Sequence, residues 1–186
     1  MSSKVKRHFL AASFLALSTT ACASTFTLTS TDMSQGQPLS QAQEFAGFGC
    51  SGDNLSPHLS WSGAPEKTQA FAVFAYDPDA PTGSGWWHWQ LINLPSDVNE
   101  LATGVGDASG ENLPEGSEQI SNDFGYAGFG GACPPKGHGA HRYQFTVFAL
   151  SQRLELPENP SSALVGYFVN QLAIDSATLE ATYQRD

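Results

Sequence analysis

Three clusters in this 186-residue chain carry side chains with chemical potential. The first is Asp77-Pro78-Asp79-Ala80-Pro81, where two prolines fix φ and remove backbone donors, so the chain must turn with its carboxylates held in place. Carboxylates held this way can orient a histidine, accept a proton or ligate a cation. A plain strand-ending turn with solvated aspartates is the alternative. The second cluster, Gly85-Trp86-Trp87-His88-Trp89, sets one histidine among three indoles that could wall an apolar pocket with a few polar handles. Its alternative is a core histidine satisfied locally. The third runs Pro134-Pro135-Lys136-Gly137-His138-Gly139-Ala140-His141-Arg142-Tyr143. Backbone amides freed by glycines, with His and Tyr donors, suit an oxyanion or phosphate. Here the alternative is a hairpin-like loop with Arg142 in a structural ion pair.

Other chemistries fit less well. Asp77, Asp79, His88, His138 and His141 could offer nitrogen and oxygen ligands, but HGAH lacks both the helical i, i+4 spacing and the glutamate of a zinc protease. Gly83-Ser84-Gly85 falls short of a nucleophile elbow. Gly128-Phe129-Gly130-Gly131 opens no helix, so it is not a dinucleotide fingerprint.

The elements that must position these clusters are mostly strands. Phe26 to Ser30 alternates apolar and polar residues. Gly47 to Trp61 is too rich in turn formers for a helix. Ala70 to Tyr76, AFAVFAY, is apolar on both faces, as in a central strand. His88 to Leu94 and Tyr143 to Leu150 read as two more strands, separated by an aperiodic stretch from Asp97 to Arg142. A stretch of that length in a compact domain is usually functional. Ser161 or Ser162 can cap a helix carrying Leu164, Val165, Phe168 and Leu172, and Ala177 to Tyr183 alternates as a last strand. The result is one mainly antiparallel β domain.

Composition agrees: 40% apolar and 11% aromatic residues argue against extended disorder. A net charge of -10 argues against a nucleic-acid partner, which needs a Lys/Arg footprint. At the N-terminus, Lys4, Lys6 and Arg7 precede an apolar run from Phe9 to Leu17 and an A-x-A site at Ala21-Cys22-Ala23, the pattern of a secretory signal. Residues 1–23 are therefore expected to be removed and 24–186 to form a single exported domain, periplasmic or secreted. The competing reading anchors a lipoprotein at Cys22, without the large aliphatic residue expected three positions earlier. No run in the chain is long enough for a transmembrane helix. Removal would leave five Lys+Arg against 18 Asp+Glu, a charge of -13. Two of those five, Lys136 and Arg142, lie in the third cluster with His138 and His141, which suggests a local cationic site on an acidic body. Cys50 and Cys133 would be an even pair in an oxidising compartment, and with no CxxC a structural disulfide is favoured over a redox or metal site.

Taken in order, DPDAP, the WHW strand start and PPKGHGAHRY closely resemble the phosphatidylethanolamine-binding protein family, also called Raf kinase inhibitor-like proteins. GFGCSGDNLSPHLSW and GACPPKGHGAHRY point to its bacterial YbhB/YbcL subgroup. The resemblance spans Phe26 to Arg185. It implies a mainly β fold of antiparallel sheets with Greek-key character, a C-terminal helix and short peripheral helices. It also implies a small anion pocket formed by Asp77, Asp79, His88, His141 and Tyr143, with Pro134, Gly137 and Gly139 shaping its mouth. The implied ligand is phosphate or a phospholipid head group, with no cofactor and no resident metal. Two other readings stand beside it: an inhibitor of a protease or kinase acting through the loop surface, and a metal-assisted hydrolase using Asp77, His88 and His141. Any protein target is unspecified, and the sequence is compatible with a homodimer.

Overall fold

The structure, a computed structural model, describes residues 25–186. The signal segment with Cys22 lies outside the described residues. Among the described residues, eight strands and one helix follow in the order β1 (Thr27–Thr29), β2 (Leu59–Ser62), β3 (Ala70–Asp77), β4 (Trp86–Pro95), β5 (Glu100–Leu101), β6 (Glu118–Gln119), β7 (His141–Leu150), α1 (Ser162–Leu172) and β8 (Ala173–Tyr183). A 3-10 turn at Gln41–Gln43 is the one short peripheral helix among the described residues. The strands form two antiparallel sheets, β1-β2-β5 and β6-β4-β3-β7-β8. The aperiodic stretch holds the two-residue strands β5 and β6, and its last two residues already belong to β7.

AFAVFAY is the centre of the larger sheet because both its faces are apolar. Phe71, Val73 and Ala75 point into the main core with Trp61, Leu91 and Phe145. Ala70, Ala72 and Phe74 point the other way, onto Val165 and Val169 of α1. The Ser161 side chain caps α1 by accepting from the Leu164 N–H at 3.3 Å. The helix therefore covers the face of the sheet opposite the main core.

Two features prepare the functional end. In the β3–β4 pairing Asp77 faces Trp86, Tyr76 faces Trp87 and Ala75 faces Trp89, so His88 is the extra residue of a β-bulge. The bulge shifts the alternation of β4 at this point. Trp89 serves the core and His88 and Trp86 line a cavity. The second feature is the disulfide between Cys50 and Cys133, whose Cα atoms are 6.0 Å apart. It ties the loop carrying Phe48 to the segment before Pro134 and contributes about 2–4 kcal/mol by restricting the unfolded chain.

Candidate functional site

The two long central strands end at one place. Asp77 is the last residue of β3 and His141 the first of β7, and inward alternation along HRYQF sends His141, Tyr143 and Phe145 to the core side. Asp77 and His141 are 3% and 1% exposed, and the Asp77 carboxylate accepts from His141 Nδ1 at 2.7 Å. His141 Nε2 in turn lies 2.7 Å from Nδ1 of His138. The Asp77 carboxylate also accepts from the Asp79 N–H at 2.8 Å, the Asx turn that the Asp-Pro-Asp sequence favours.

His88 approaches from the bulge of β4. Its Nδ1–H donates to the Gly130 carbonyl at 2.6 Å, which leaves Nε2 as the acceptor of a neutral ring. Burial pushes its pKa below the ordinary histidine value, against the opposing pull of the Gly130 hydrogen bond and the Asp77 charge. The ring stands edge to face with Tyr143 at 5.2 Å and with Phe124 at 5.5 Å.

Two donors beside these groups have no hydrogen-bond partner: the Trp86 indole N–H and the Tyr143 hydroxyl, each shut from solvent. Burial first, and the Asp77 charge second, raise the Tyr143 pKa far above the phenol range, so it remains an O–H donor. Both residues line a cavity of about 200 Å³ together with Asp77, His88, His141, Thr82, Pro134 and Phe124. At roughly 30 Å³ per water that is room for about six or seven waters, which holds a phosphate-type group with space to spare. Phe48 stands at the rim, 72% exposed, its ring 5.6 Å from that of Phe124.

Several expected site residues lie elsewhere. Asp79 does not line the cavity: its carboxylate grips Arg142, with Nη2 at 2.7 Å, Nε at 2.9 Å and the Arg142 N–H at 2.9 Å. The Arg142 hydrogen bonds hold the Asp79 pKa down to about 2. Alternation along β7 explains this, because neighbours of the inward His141 and Tyr143 must point out. Lys136 donates to the Asp186 main-chain oxygen at 2.8 Å. The expected local cationic site is therefore corrected, since neither Lys136 nor Arg142 reaches the cavity wall. Gly137 and Gly139 also stand off the wall and form the turn that carries His138. Of the three indoles expected to wall the pocket, Trp86 alone does so. Trp87 packs on Tyr76 across the sheet at 4.5 Å, and Trp89 meets Phe129 in the core at 6.0 Å.

Sequence reasoning missed Phe48, Phe124 and Thr82. The two phenylalanines lie in separate Gly-rich loops, and only tertiary packing, with Phe45 stacked on Phe124 at 4.1 Å, brings them to one rim. For Thr82, its place just beyond DPDAP was the available signal.

Two antiparallel sheets thus bring a buried Asp–His pair and a bulged histidine to one cavity. A phosphatidylethanolamine-binding protein family model matches residues 29–184, and the chain belongs to that family. Among its relatives, YbcL of Escherichia coli K12 is 51% identical over 163 residues, covering 87% of this chain and 89% of that protein. YbhB of the same organism is 46% identical over 157 residues, covering 84% and 98%. The crystal structure of E. coli YbcL, described as a new member of the mammalian PEBP family, superposes with a TM-score of 0.84 over 87% of this chain and 99% of that one. A Mycobacterium tuberculosis relative named as a lipoprotein, LppC, is 33% identical over 137 residues, covering 74% and 64%.

Proposed function

We propose that the protein is an exported binding protein whose pocket takes a phosphate-type oxyanion, either free phosphate or a phosphorylated head group. The observation that carries this reading is the pair of partnerless donors, Trp86 N–H and Tyr143 O–H, on a cavity with room for a phosphate. Buried donors without partners cost about 1–3 kcal/mol each, a cost that an oxyanion accepting from both would relieve. The neutral His88 Nε2 adds an acceptor for a P–OH, or for an amine or hydroxyl on a head group. Asp77 keeps His141 in orientation and would repel a ligand approaching it directly. Family membership supports a binding role. Export rests on the signal pattern at residues 1–23 and is supported by the lipoprotein name of one relative. Among the described residues no helix is long and apolar enough to cross a membrane.

Calorimetric titration of protein 24–186 with inorganic phosphate tests the assignment. His88→Ala and His141→Ala are each expected to weaken binding about tenfold or more, the equivalent of roughly 1.4 kcal/mol. Unchanged affinity in both variants, with folding checked by circular dichroism, would overturn it.

A further inference from the structure

Two polar groups of the cavity wall, Asp77 and His141, continue outward as a chain of three to His138, which stands behind the wall. Asp77 Oδ2 to His141 Nδ1 and His141 Nε2 to His138 Nδ1 are both 2.7 Å, and each contact requires one proton between its atoms. Both nitrogens of His141 are thus occupied, and of the three groups only His138 is exposed. His138 rides on a turn between Gly137 and Gly139, whose φ values of 72° and 89° suit glycine. The turn is held by the His138 N–H to the Pro135 carbonyl at 3.2 Å and the Gly137 N–H to the Arg185 carbonyl at 3.0 Å.

With one proton in each contact and Asp77 ionised, the chain carries a net charge of -1 toward a wall that holds no Lys or Arg. The Arg185 guanidinium stands behind the wall, donating to the Pro134 carbonyl at 3.3 Å and the Gly49 carbonyl at 2.7 Å, and the other groups around the chain do not offset its charge. Tyr143 on β7 and His88 on β4 are neutral, and Asp79 and Arg142 neutralise each other. Tyr183 on β8, opposite His141, donates to Glu44 at 2.8 Å, and Lys136 is turned to the Asp186 main chain. An oxyanion entering the cavity meets the Asp77 charge on the wall, and the one exposed member of the chain, able to take a proton that offsets it, is His138.

We propose that His138 sets the charge of the pocket by taking one proton from solvent as an oxyanion binds. The proton bonds to His138 Nε2, and the proton on His138 Nδ1 passes to His141 Nε2. His138 is left neutral with its proton on the outer nitrogen, and the positive charge rests on His141 beside Asp77. The chain goes from -1 to 0 with one proton consumed and nothing oxidised or reduced. This inference rests on the oxyanion reading above and deepens it: binding and proton uptake are coupled, so affinity falls as pH rises.

Sulfate is the probe, because it does not titrate near neutrality and any proton taken up belongs to the protein. Calorimetry at pH 7.5 in buffers of differing ionisation enthalpy counts those protons. The wild type is expected to take up close to one per sulfate, with affinity falling up to tenfold per pH unit on the alkaline side. His138→Ala, a change at an exposed turn, is expected to lower both the proton count and the affinity at pH 7.5 and to displace the pH profile to lower pH. A wild-type count near zero, or the same count and affinity in the variant, overturns the proposal and leaves the oxyanion reading standing. Phosphate binding without sulfate binding also overturns it, since the His88 acceptor and not the charge of the chain would then govern entry. Binding of neither anion overturns both.

Discussion

The two ends of β4 bury polar side chains in opposite ways. At one end Asn93, 9% exposed, takes the left-handed backbone conformation at φ 59° and closes a reciprocal pair with Leu154. Its Nδ2 donates to the Leu154 carbonyl at 3.0 Å, and its Oδ1 accepts the Leu154 N–H at 2.7 Å. At the other end, Trp86, and Tyr143 of β7 on the same cavity, keep donors with no partner, and His88 keeps a free acceptor. Trp61 Nε1 and Gln90 Oε1 are also unpartnered, but neither residue lines the cavity. Buried polarity that is fully paired pins a fold together; unpaired polarity becomes a binding surface only where there is space for a ligand.

Substitutions at the two ends of β4 should act differently, and the largest effect is expected at the paired one. Asn93→Ala strands the buried Leu154 N–H and carbonyl and puts a poorly tolerated residue at positive φ, costing about 3 kcal/mol in urea unfolding. Phosphate affinity should not change. Tyr143→Phe is the mirror case: stability holds or rises slightly, because the lost hydroxyl had no partner, while phosphate affinity in calorimetry falls about tenfold or more. A large loss of stability in Tyr143→Phe would show that the hydroxyl is a structural group.

A smaller effect separates the ends by pH. Burial lowers the pKa of His88 in the folded state below its unfolded value of about 6.5. Below that pH the unfolded chain binds a proton that the folded one refuses. This contribution to stability is therefore complete above about pH 6.5 and is lost as pH falls toward the folded pKa, at up to about 1.4 kcal/mol per unit. Urea unfolding from pH 7 to 5 should show this slope diminished in His88→Gln. It should persist in Asn93→Ala, whose amide does not titrate.

Much of this arrangement was legible in the chain. A continuous apolar run located β3, alternation ending in an apolar run located most of β7, and Ser161 or Ser162 marked the start of α1. Asp77, His88, His141 and Tyr143 could be picked out because each sits where a strongly apolar strand begins or ends. Assigning Asp77 to the pocket and Asp79 to Arg142 was beyond local pattern, since alternation stops at the turn. The outward position of Arg142, by contrast, was implicit in HRYQF. The division of labour among the indoles depended on one bulge residue, and the Phe48–Phe124 rim on packing between distant loops.

The most direct test follows the indole N–H resonances of all four tryptophans in a ¹⁵N-correlated spectrum during titration with inorganic phosphate. Trp86 and Trp61 both have buried, unpartnered indole N–H groups, but only Trp86 lines the cavity. A saturable downfield shift of the Trp86 indole proton is expected, with little change at Trp61. A Trp86 resonance that stays in place at high phosphate, or one that moves no more than that of Trp61, would contradict the oxyanion reading.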